Sequence, residues 1–563
     1  MLSIGRVGPA NAGYYQSAVV AGAEDYYAGD GDAPGVWVGR ADLVGAVAGR
    51  LATAVDAKLL LEAKSAPDGT LLGKTTVSER SVTAFDLTSS VPKSVSVLQA
   101  LGDVRVAAEI EAAHAVAVEE AIKSMSPRIA FTRTGRAGAA VVDAEEVFGI
   151  RYRHRTSRAL DPQLHDHVLI ANAVRTVSDG EWRTLDARGL FREAKAAGTV
   201  FQTHLRAETK RRLGVRFNVV DENGQADIVG IDEALLVEFS TRSHDIETAL
   251  AEWTTDFIGR EGRSPSGAEV GKAHKTIVLA TRPGKPDGAG LSTDTLRQAW
   301  RRRADTIVDV DRMLAETLGN PPSPAVIVRP DIEVVLAAVE LKHAEWSESQ
   351  LIEQIAMRVA GPDPSTIATT IDGVRVEAMA SAGVVDLTAP AETGDMVRAS
   401  DGRPVHLPPS AVRCTTSRHV LREGDVIEWA QAPVAEGHRG VSFEAQSVAG
   451  LDDSQIAAVS EMLTNPRPVM TDCRSGRFGQ DPDARRRSRL WTEQGVSVFG
   501  AAPSAAAAGE LREGAGVASD TLHKLVYEHS TKHHTGHGLP GAKWTSRRAR
   551  WSSSMRPAWS THG

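Results

Sequence analysis

The chain is short of cysteine, of aromatic residues and of long apolar runs, and each shortage closes off a class of function. Its 563 residues hold two cysteines, Cys414 and Cys473. Two thiols so far apart in sequence make neither a disulfide framework nor a cysteine-rich metal site. Aromatic residues make up 5% of the chain, and six of them are tyrosines. No run of about 18 uncharged apolar residues occurs, so no membrane insertion is expected. The start, Met1-Leu2-Ser3-Ile4, lacks a basic stretch leading into an apolar run, so no secretory signal is expected. Together these absences point to a cytoplasmic protein. An excess of positive charge is missing too. The formal net charge of −8 argues against a protein that coats DNA, although phosphate binding depends on a few local residues. Two local basic clusters are present. Arg151, Arg153, Arg155 and Arg158 flank a histidine, while Arg206, Lys210, Arg211 and Arg212 share one helical stretch. The plain reading of each is a solvated face.

What is present is ordinary globular material, with 42% hydrophobic residues and length for several domains of roughly 100–200 residues. Ser81–Leu87 alternates polar and apolar residues like a half-buried strand. Val104–Lys123 has helical periodicity and is expected to end before Pro127. Val147–His154 and His165–Val174 read as strands joined by a polar loop, and Ser178-Asp179-Gly180 marks a turn into a short strand near Trp182. Phe191–Leu213 reads as one long helix stopped by Gly214. Strands with segregated helices indicate an α+β fold. Gly, Pro, Ser and Lys between about 262 and 292 predict a linker. The expected domains are therefore 1–290, 291–449 and 450–563. No internal repeat is visible.

Three constellations carry chemistry. His165 and His167, two apart on a strand, share a face. If the preceding strand returns antiparallel, His154 at its end reaches the same point. Three neutral imidazoles around one cation leave positions open for substrate oxygens, which suits a Lewis acid polarising a phosphate. The second is a pair of doublets, Tyr14-Tyr15 and Tyr26-Tyr27, holding four of the six tyrosines. A phenol, with a pKa of about 10, attacks a phosphate only with help, and its phosphotyrosyl product keeps the bond energy needed to rejoin the strand. Aromatic packing is the alternative reading. The third is Asp86, a carboxylate in an otherwise apolar strand, an expensive placement unless paired. It can orient a metal-binding histidine, take a proton from an attacking phenol, or cap the following segment. Lys93, Ser89, Ser90 and Ser94 just beyond it would suit a phosphate backbone.

These segments resemble the N-terminal domain of MobF-type conjugative relaxases, the TrwC/TraI family within the HUH endonucleases. The resemblance rests on Gly13-Tyr14-Tyr15, Glu24-Asp25-Tyr26-Tyr27 and the Asp86 strand with its Ser-x-Pro-Lys-Ser-Val-Ser-Val run. It continues through His154-Arg155-Thr156-Ser157-Arg158, Asp161-Pro162-Gln163-Leu164-His165-Asp166-His167 and Asp179-Gly180-x-Trp182. It implies an antiparallel sheet with flanking helices gripping single-stranded DNA at an origin of transfer. It also implies Tyr14 as nucleophile of the first cut and Tyr26 as the second tyrosine. Asp86 would be the acidic residue beside metal ligands His154, His165 and His167. The family's metal is magnesium or manganese, whereas imidazoles alone favour zinc or another transition ion. A type IV secretion coupling protein is an implied partner. The spacing between the doublets is longer than in the family, which leaves the second tyrosine's assignment open, with Tyr15 and Tyr27 as deputies. Rival readings are a rolling-circle replication initiator, a non-catalytic remnant that binds its origin DNA, and an ATP-driven helicase.

Family members commonly continue into a RecD-like helicase. Leu451-Asp452-Asp453-Ser454-Gln455 resembles the approach to such a motor, and Leu490-Trp491-Thr492-Glu493-Gln494-Gly495 resembles its continuation. The phosphate-binding Gly-x-x-x-x-Gly-Lys-Ser/Thr expected between them is missing. Thr471–Asp481 stands there, without a lysine. GC-rich codons for this stretch, shifted by one base, can read Thr-Ala-Gly-Pro-Ala-Gly-Ser-Gly-Lys-Thr. Arg550–Trp559, shifted by two, can read Val-Val-Ile-Val-Asp-Glu-Ala-Gly-Met, a strand ending in an ATPase acid pair. Frameshifts that destroyed both nucleotide motifs and ended the protein early are therefore expected, leaving an incomplete α/β P-loop segment without a functional ATP site.

Overall fold

A computed structural model of the chain describes residues 2–8, 35–73, 81–281, 293–319, 328–432 and 498–524, apart from a few positions within them, and scattered residues between 456 and 493. The described residues fall into two compact units, Met1–Glu423 and Gly424–Gly563.

In the first unit, alternating side chains build the strands β1 (Leu2–Val7), β2 (Val36–Gly39) and β3 (Ala84–Ser90). β4 (Phe131–Thr134) and β5 (Ala140–Asp143) pair as a separate ribbon. β6 (Phe148–Thr156) and β7 (Pro162–Ala171) are the longest. β1, β2, β3, β6 and β7 form one five-stranded sheet in the order β1-β3-β7-β6-β2, with every neighbouring pair antiparallel. The period of two gives each strand two sets of side chains. Phe85, Leu87, Val168 and Ile170 enter a core under helices. Ala84, Ile150, Tyr152, Leu169 and Ala171 enter a second core, built with Trp37, Val44, Leu60 and Leu61 on the opposite face.

A short helix, α1 (Ala54–Lys58), opens with a Thr53–Asp56 capping box and belongs to that second layer. The helical layer consists of α2 (Lys93–Leu101), α3 (Val104–Ile129) and α4 (Ala187–Leu213). Asp103 caps α3 by accepting from the Val106 N–H. Gly214, at φ 65°, closes α4 in the left-handed conformation that glycine adopts without strain. α3 runs on through Pro127 to Ile129, contrary to the expected stop. Proline removes one bond, to the Lys123 carbonyl, while Met125, Ser126 and Ile129 are buried, and that packing carries the last turn.

Part of the stretch read as linker is helical, up to residue 281, and residues 282–292 lie outside the described residues. After α5 (Thr241–Glu261), a Ser266–Glu269 capping box starts α6 (Gly267–Ala280). α7 (Thr293–Asp305) and α8 (Val310–Thr317) follow. Trp300, Ala304, Val310 and Met313 belong to the same core as the sheet, so the core does not break at residue 290. α9 (Ile332–Lys342), α10 (Glu348–Arg358) and α11 (Ile367–Ala380) gather around buried Trp346 and cover Ala196, Val200 and Ala207 on the outer side of α4. Arg398 pins the following loop to the ribbon, donating to the carbonyls of Val141, Pro404 and Leu407.

In the second unit, strands Phe499–Ala502 and Ala518–Thr521 pair in parallel across the helix Ala505–Ala515. Among the described residues no helix is long and apolar enough to cross a membrane.

Candidate metal centre

β6 and β7 pair so that His154 lies directly opposite His165, and the period of two brings His167 to the same face. The three rings sit with centroids 5.0–5.3 Å apart. One ring nitrogen from each lies within 4.8 Å of the others. Gly149 lets the two strands close up: a Cβ there would stand 2.3 Å from the Leu169 carbonyl oxygen, a contact no side chain tolerates.

β3 supplies the fourth group. Thr88 pairs with His167 and Asp86 with Leu169, so the Asp86 carboxylate reaches His167 along the sheet diagonal. Both carboxylate oxygens lie 2.9 Å from His167 Nδ1, and Thr88 Oγ1 lies 3.2 Å from the same nitrogen. A carboxylate oxygen accepts in such a contact, so Nδ1 carries the hydrogen that faces Asp86. His165 is set the same way, with Nδ1 2.9 Å from the Gln163 carbonyl. Burial, followed by the neighbouring His167, pushes the His165 pKa down to about 4. Burial and the other two histidines hold His154 well below the usual histidine range. His154 and His165 are therefore held in the neutral form near neutral pH. That donor set fits a divalent ion, leaving coordination positions for oxygen ligands.

The opposite face of the same hairpin is charged. Arg153 stands directly across from Asp166 and donates to both of its oxygens at 3.0 and 3.2 Å. Arg151 lies 3.6 Å from Asp166, and Arg155 holds Glu111 of α3 with a two-pronged contact at 2.7 and 2.8 Å. Burial opposes the charge on Asp166, but His114 and the two guanidinium groups outweigh it and keep the carboxyl far below its usual range. The Arg151–Arg155 cluster is thus built into ion pairs beneath α3 rather than spread on a solvated face. The regular alternation of arginine with Ile150, Tyr152 and His154 was the sequence signal for this; Glu111 and His114 gave none. The second basic cluster is mixed, with Lys210 and Arg211 exposed on α4. Arg206 donates to the Gly224 carbonyl, and Arg211 and Arg212 pair with Glu208. Lys93 donates to the Pro162 carbonyl, and the Ser94 hydroxyl donates to Asp227, so both serve the fold. Tyr14, Tyr15, Tyr26 and Tyr27 lie outside the described residues, as do 471–481 and 543–563.

Comparison with known proteins agrees with this geometry. A family model described as TrwC relaxase matches residues 9–307, more than half of the chain, and an AAA domain model matches residues 450–553. The multifunctional conjugation protein TraI of Escherichia coli is 33% identical over 179 residues, covering 30% of this chain and 10% of that protein. TraI of Escherichia coli strain K12 is 31% identical over 198 residues, covering 33% and 11%. The chain thus matches about a tenth of the length of these curated relatives. Among solved structures, the conjugative relaxase TrwC in complex with OriT DNA in a copper-bound form is 29% identical, with a TM-score of 0.45, covering 55% of this chain and 100% of that one. Its metal-bound complex is 27% identical, with a TM-score of 0.44 and the same coverage.

Proposed function

Because the chain belongs to the TrwC relaxase family, we propose that it nicks one strand of an origin-of-transfer DNA by transesterification and stays attached through a tyrosine. The observation that carries this reading is the open cluster of His154, His165 and His167 with Asp86 against His167. Tyr14 is the nucleophile in this reading, and Tyr26 the second tyrosine. The Tyr14 oxygen bonds to the scissile phosphorus as the P–O3′ bond breaks. A 5′-phosphotyrosyl ester results, and the phenol's proton ends, through solvent, on the released 3′ oxygen. A divalent ion held by the three histidines would polarise the scissile phosphate. The chain's own residues prepare for that ion. Asp86 and the Gln163 carbonyl fix two imidazole tautomers, and burial keeps His154 and His165 unprotonated. With both oxygens on His167, Asp86 serves as an orienting group rather than as the base for the phenol. Three imidazoles match manganese or zinc better than magnesium.

In this reading residues 1–290 carry the chemistry, 291–449 connect and buttress it, and 450–563 are an ATPase-like segment whose nucleotide site does not work, since 471–481 lack the phosphate-binding lysine. Single-stranded origin DNA is the substrate, a secretion coupling protein the onward partner, and the cytoplasm the place of action. The test is to mix the full chain with manganese or magnesium and single-stranded oligonucleotides tiling the DNA around the gene. A denaturation-resistant protein–DNA adduct, lost in Tyr14→Phe and in His165→Ala, is the expected result. Tight binding with no adduct under any metal would overturn the nicking reading in favour of a non-catalytic origin-binding protein.

A further inference from the structure

The loop that joins the two histidine strands is held from a distant part of the chain. Between β6 and β7 the chain turns through Ser157–Asp161, closed by bonds from the Ser157 N–H to the Asp161 carbonyl at 2.9 Å and from the Leu160 N–H to the Ser157 carbonyl at 3.0 Å. Leu160 sits at φ 60°, a left-handed conformation that a branched residue keeps only when its surroundings enforce it. The enforcing groups come from α7 and the start of α5. The Trp300 indole N–H donates to the Leu160 carbonyl at 2.8 Å. Arg303 contacts the Asp161 carboxylate at 3.4 Å, and the Thr241 backbone N–H donates to the same carboxylate at 3.0 Å. Arg303 is itself fixed, donating to Glu238 at 2.9 Å and lying over the Phe239 ring at 4.8 Å. Trp300 is 3% exposed and Asp161 1%, so water does not replace the Trp300 bond, and the Asp161 carboxylate meets Arg303 from a buried position although the guanidinium end is 38% exposed.

The held loop leads directly into the centre. Asp161 is followed by Pro162, whose carbonyl takes the Lys93 ammonium. Next comes Gln163, whose carbonyl sets the His165 ring. On the other side of the turn, the pairing of β6 and β7 shifts register between His154 and Thr156 before closing with Thr156 opposite Pro162, so the regular ladder is interrupted just past His154 and the loop helps to hold what lies beyond.

We propose that Trp300 and Arg303 are positioning residues of the histidine centre, setting the His165 imidazole through Leu160, Asp161 and Gln163. This inference rests on the metal-binding reading of the cluster. Trp300→Phe keeps a ring in the core and deletes the donor to Leu160. Arg303→Met deletes the cation facing Asp161 and leaves comparable bulk. Residues that orient a metal ligand typically alter affinity by about 10–100-fold. These act one step further out, so a loss at the low end, about tenfold, is expected.

The experiment is calorimetric titration of manganese into the metal-free full chain, with the thermal unfolding midpoint measured alongside. Wild type must bind the ion, and His165→Ala must abolish that binding; failure here defeats the metal reading itself. Given that control, weaker manganese binding in Trp300→Phe and Arg303→Met, with partial recovery in Arg303→Lys, supports the proposal. Val339→Ala, in the separate core beneath Trp346, serves as the stability control, lowering the midpoint without moving the isotherm. Isotherms for Trp300→Phe and Arg303→Met that superimpose on wild type overturn the proposal, as does a Val339→Ala isotherm shifted as far as theirs.

Discussion

Replacing Asp86 by asparagine isolates what the carboxylate does for the centre, because the substitution keeps shape and removes charge. Both oxygens of Asp86 lie 2.9 Å from His167 Nδ1, and the side chain is largely withdrawn from water. In wild type no donor on Asp86 competes for Nδ1, so the ring hydrogen stays there and Nε2 is the nitrogen without one. An asparagine amide can turn its NH2 toward Nδ1, which favours the opposite tautomer and blocks Nε2 with a hydrogen. It also replaces a charge-assisted hydrogen bond with a neutral one about half as strong. Removing a group that orients a metal ligand costs about 10–100-fold in affinity, which is about 1.4–2.8 kcal/mol. Thr88 Oγ1, 3.2 Å from the same nitrogen, remains as a substitute acceptor, so the lower end is expected, about tenfold. Asp86→Ala, which leaves Thr88 alone with the ring, should fall between Asp86→Asn and wild type if the wrong tautomer is the damage. Manganese titration of the metal-free variants reads this directly. Binding by Asp86→Asn within twofold of wild type would refute the argument that this carboxylate fixes the ligand.

Four further outcomes follow. His114 is fully buried against Phe201, and burial pushes its pKa down to about 3, against about 6.5 in an unfolded chain. Between those values the unfolded chain holds a proton that the fold does not. Stability therefore falls as pH drops through this window, by about 1.4 kcal/mol per unit from this one group. His114→Phe should flatten the acid side of a stability–pH curve, and an unchanged slope from denaturant titrations at pH 6 and 4.5 would count against it. Gly149→Ala forces a Cβ against the Leu169 carbonyl and should destabilise by about 1–3 kcal/mol, the usual overpacking range, with metal binding weakened in the same protein; a wild-type melting curve would contradict this. A chain ending after Thr317 loses the helices over Ala196, Val200 and Ala207, and should melt well below one ending at residue 432 by scanning calorimetry. The full chain should show no DNA-stimulated ATP hydrolysis above a buffer control, since Thr471–Asp481 lacks the phosphate-binding lysine.

The histidine side of the centre was legible because its information is periodic and local. His165 and His167 are two apart, His154 ends the preceding strand, and one hairpin unites them. Asp86 was legible as an anomaly, a carboxylate in an apolar strand, although which of its possible roles it plays needed the diagonal pairing of β3 with β7. The supports were not legible, because they depend on distant pairings that leave no local pattern. Nothing around Trp300 or Arg303 announces that they close on a loop some 140 residues earlier. Composition misled for the same reason. Residues 262–292 read as linker from their Gly, Pro and Ser, yet within the described part, up to residue 281, a capping box at Ser266 is sufficient to start α6. The basic clusters read as surface, which holds for Lys210 and Arg211 on α4, yet Arg151, Arg153 and Arg155 pair with Asp166 and Glu111, which lie on other elements.

Placing the centre on a hairpin carries a specific hazard, and the arrangement of supports answers it. Along β6 and β7 the front face carries His154, His165 and His167, and the back carries Arg153 and Asp166. A slip of one residue in either strand would exchange the faces, moving a guanidinium or carboxylate into the place of a histidine and burying an imidazole under α3. Register is therefore a chemical requirement as well as a structural one. Three devices converge on it. Gly149 permits the close approach of the strands at one end. The Arg153–Asp166 pair favours a single alignment in the middle, because a slip would strand two buried charges. The clamp of Trp300 and Arg303 fixes the turn at the other end. The charged back face is in this sense part of the histidine centre: it makes the wrong register costly.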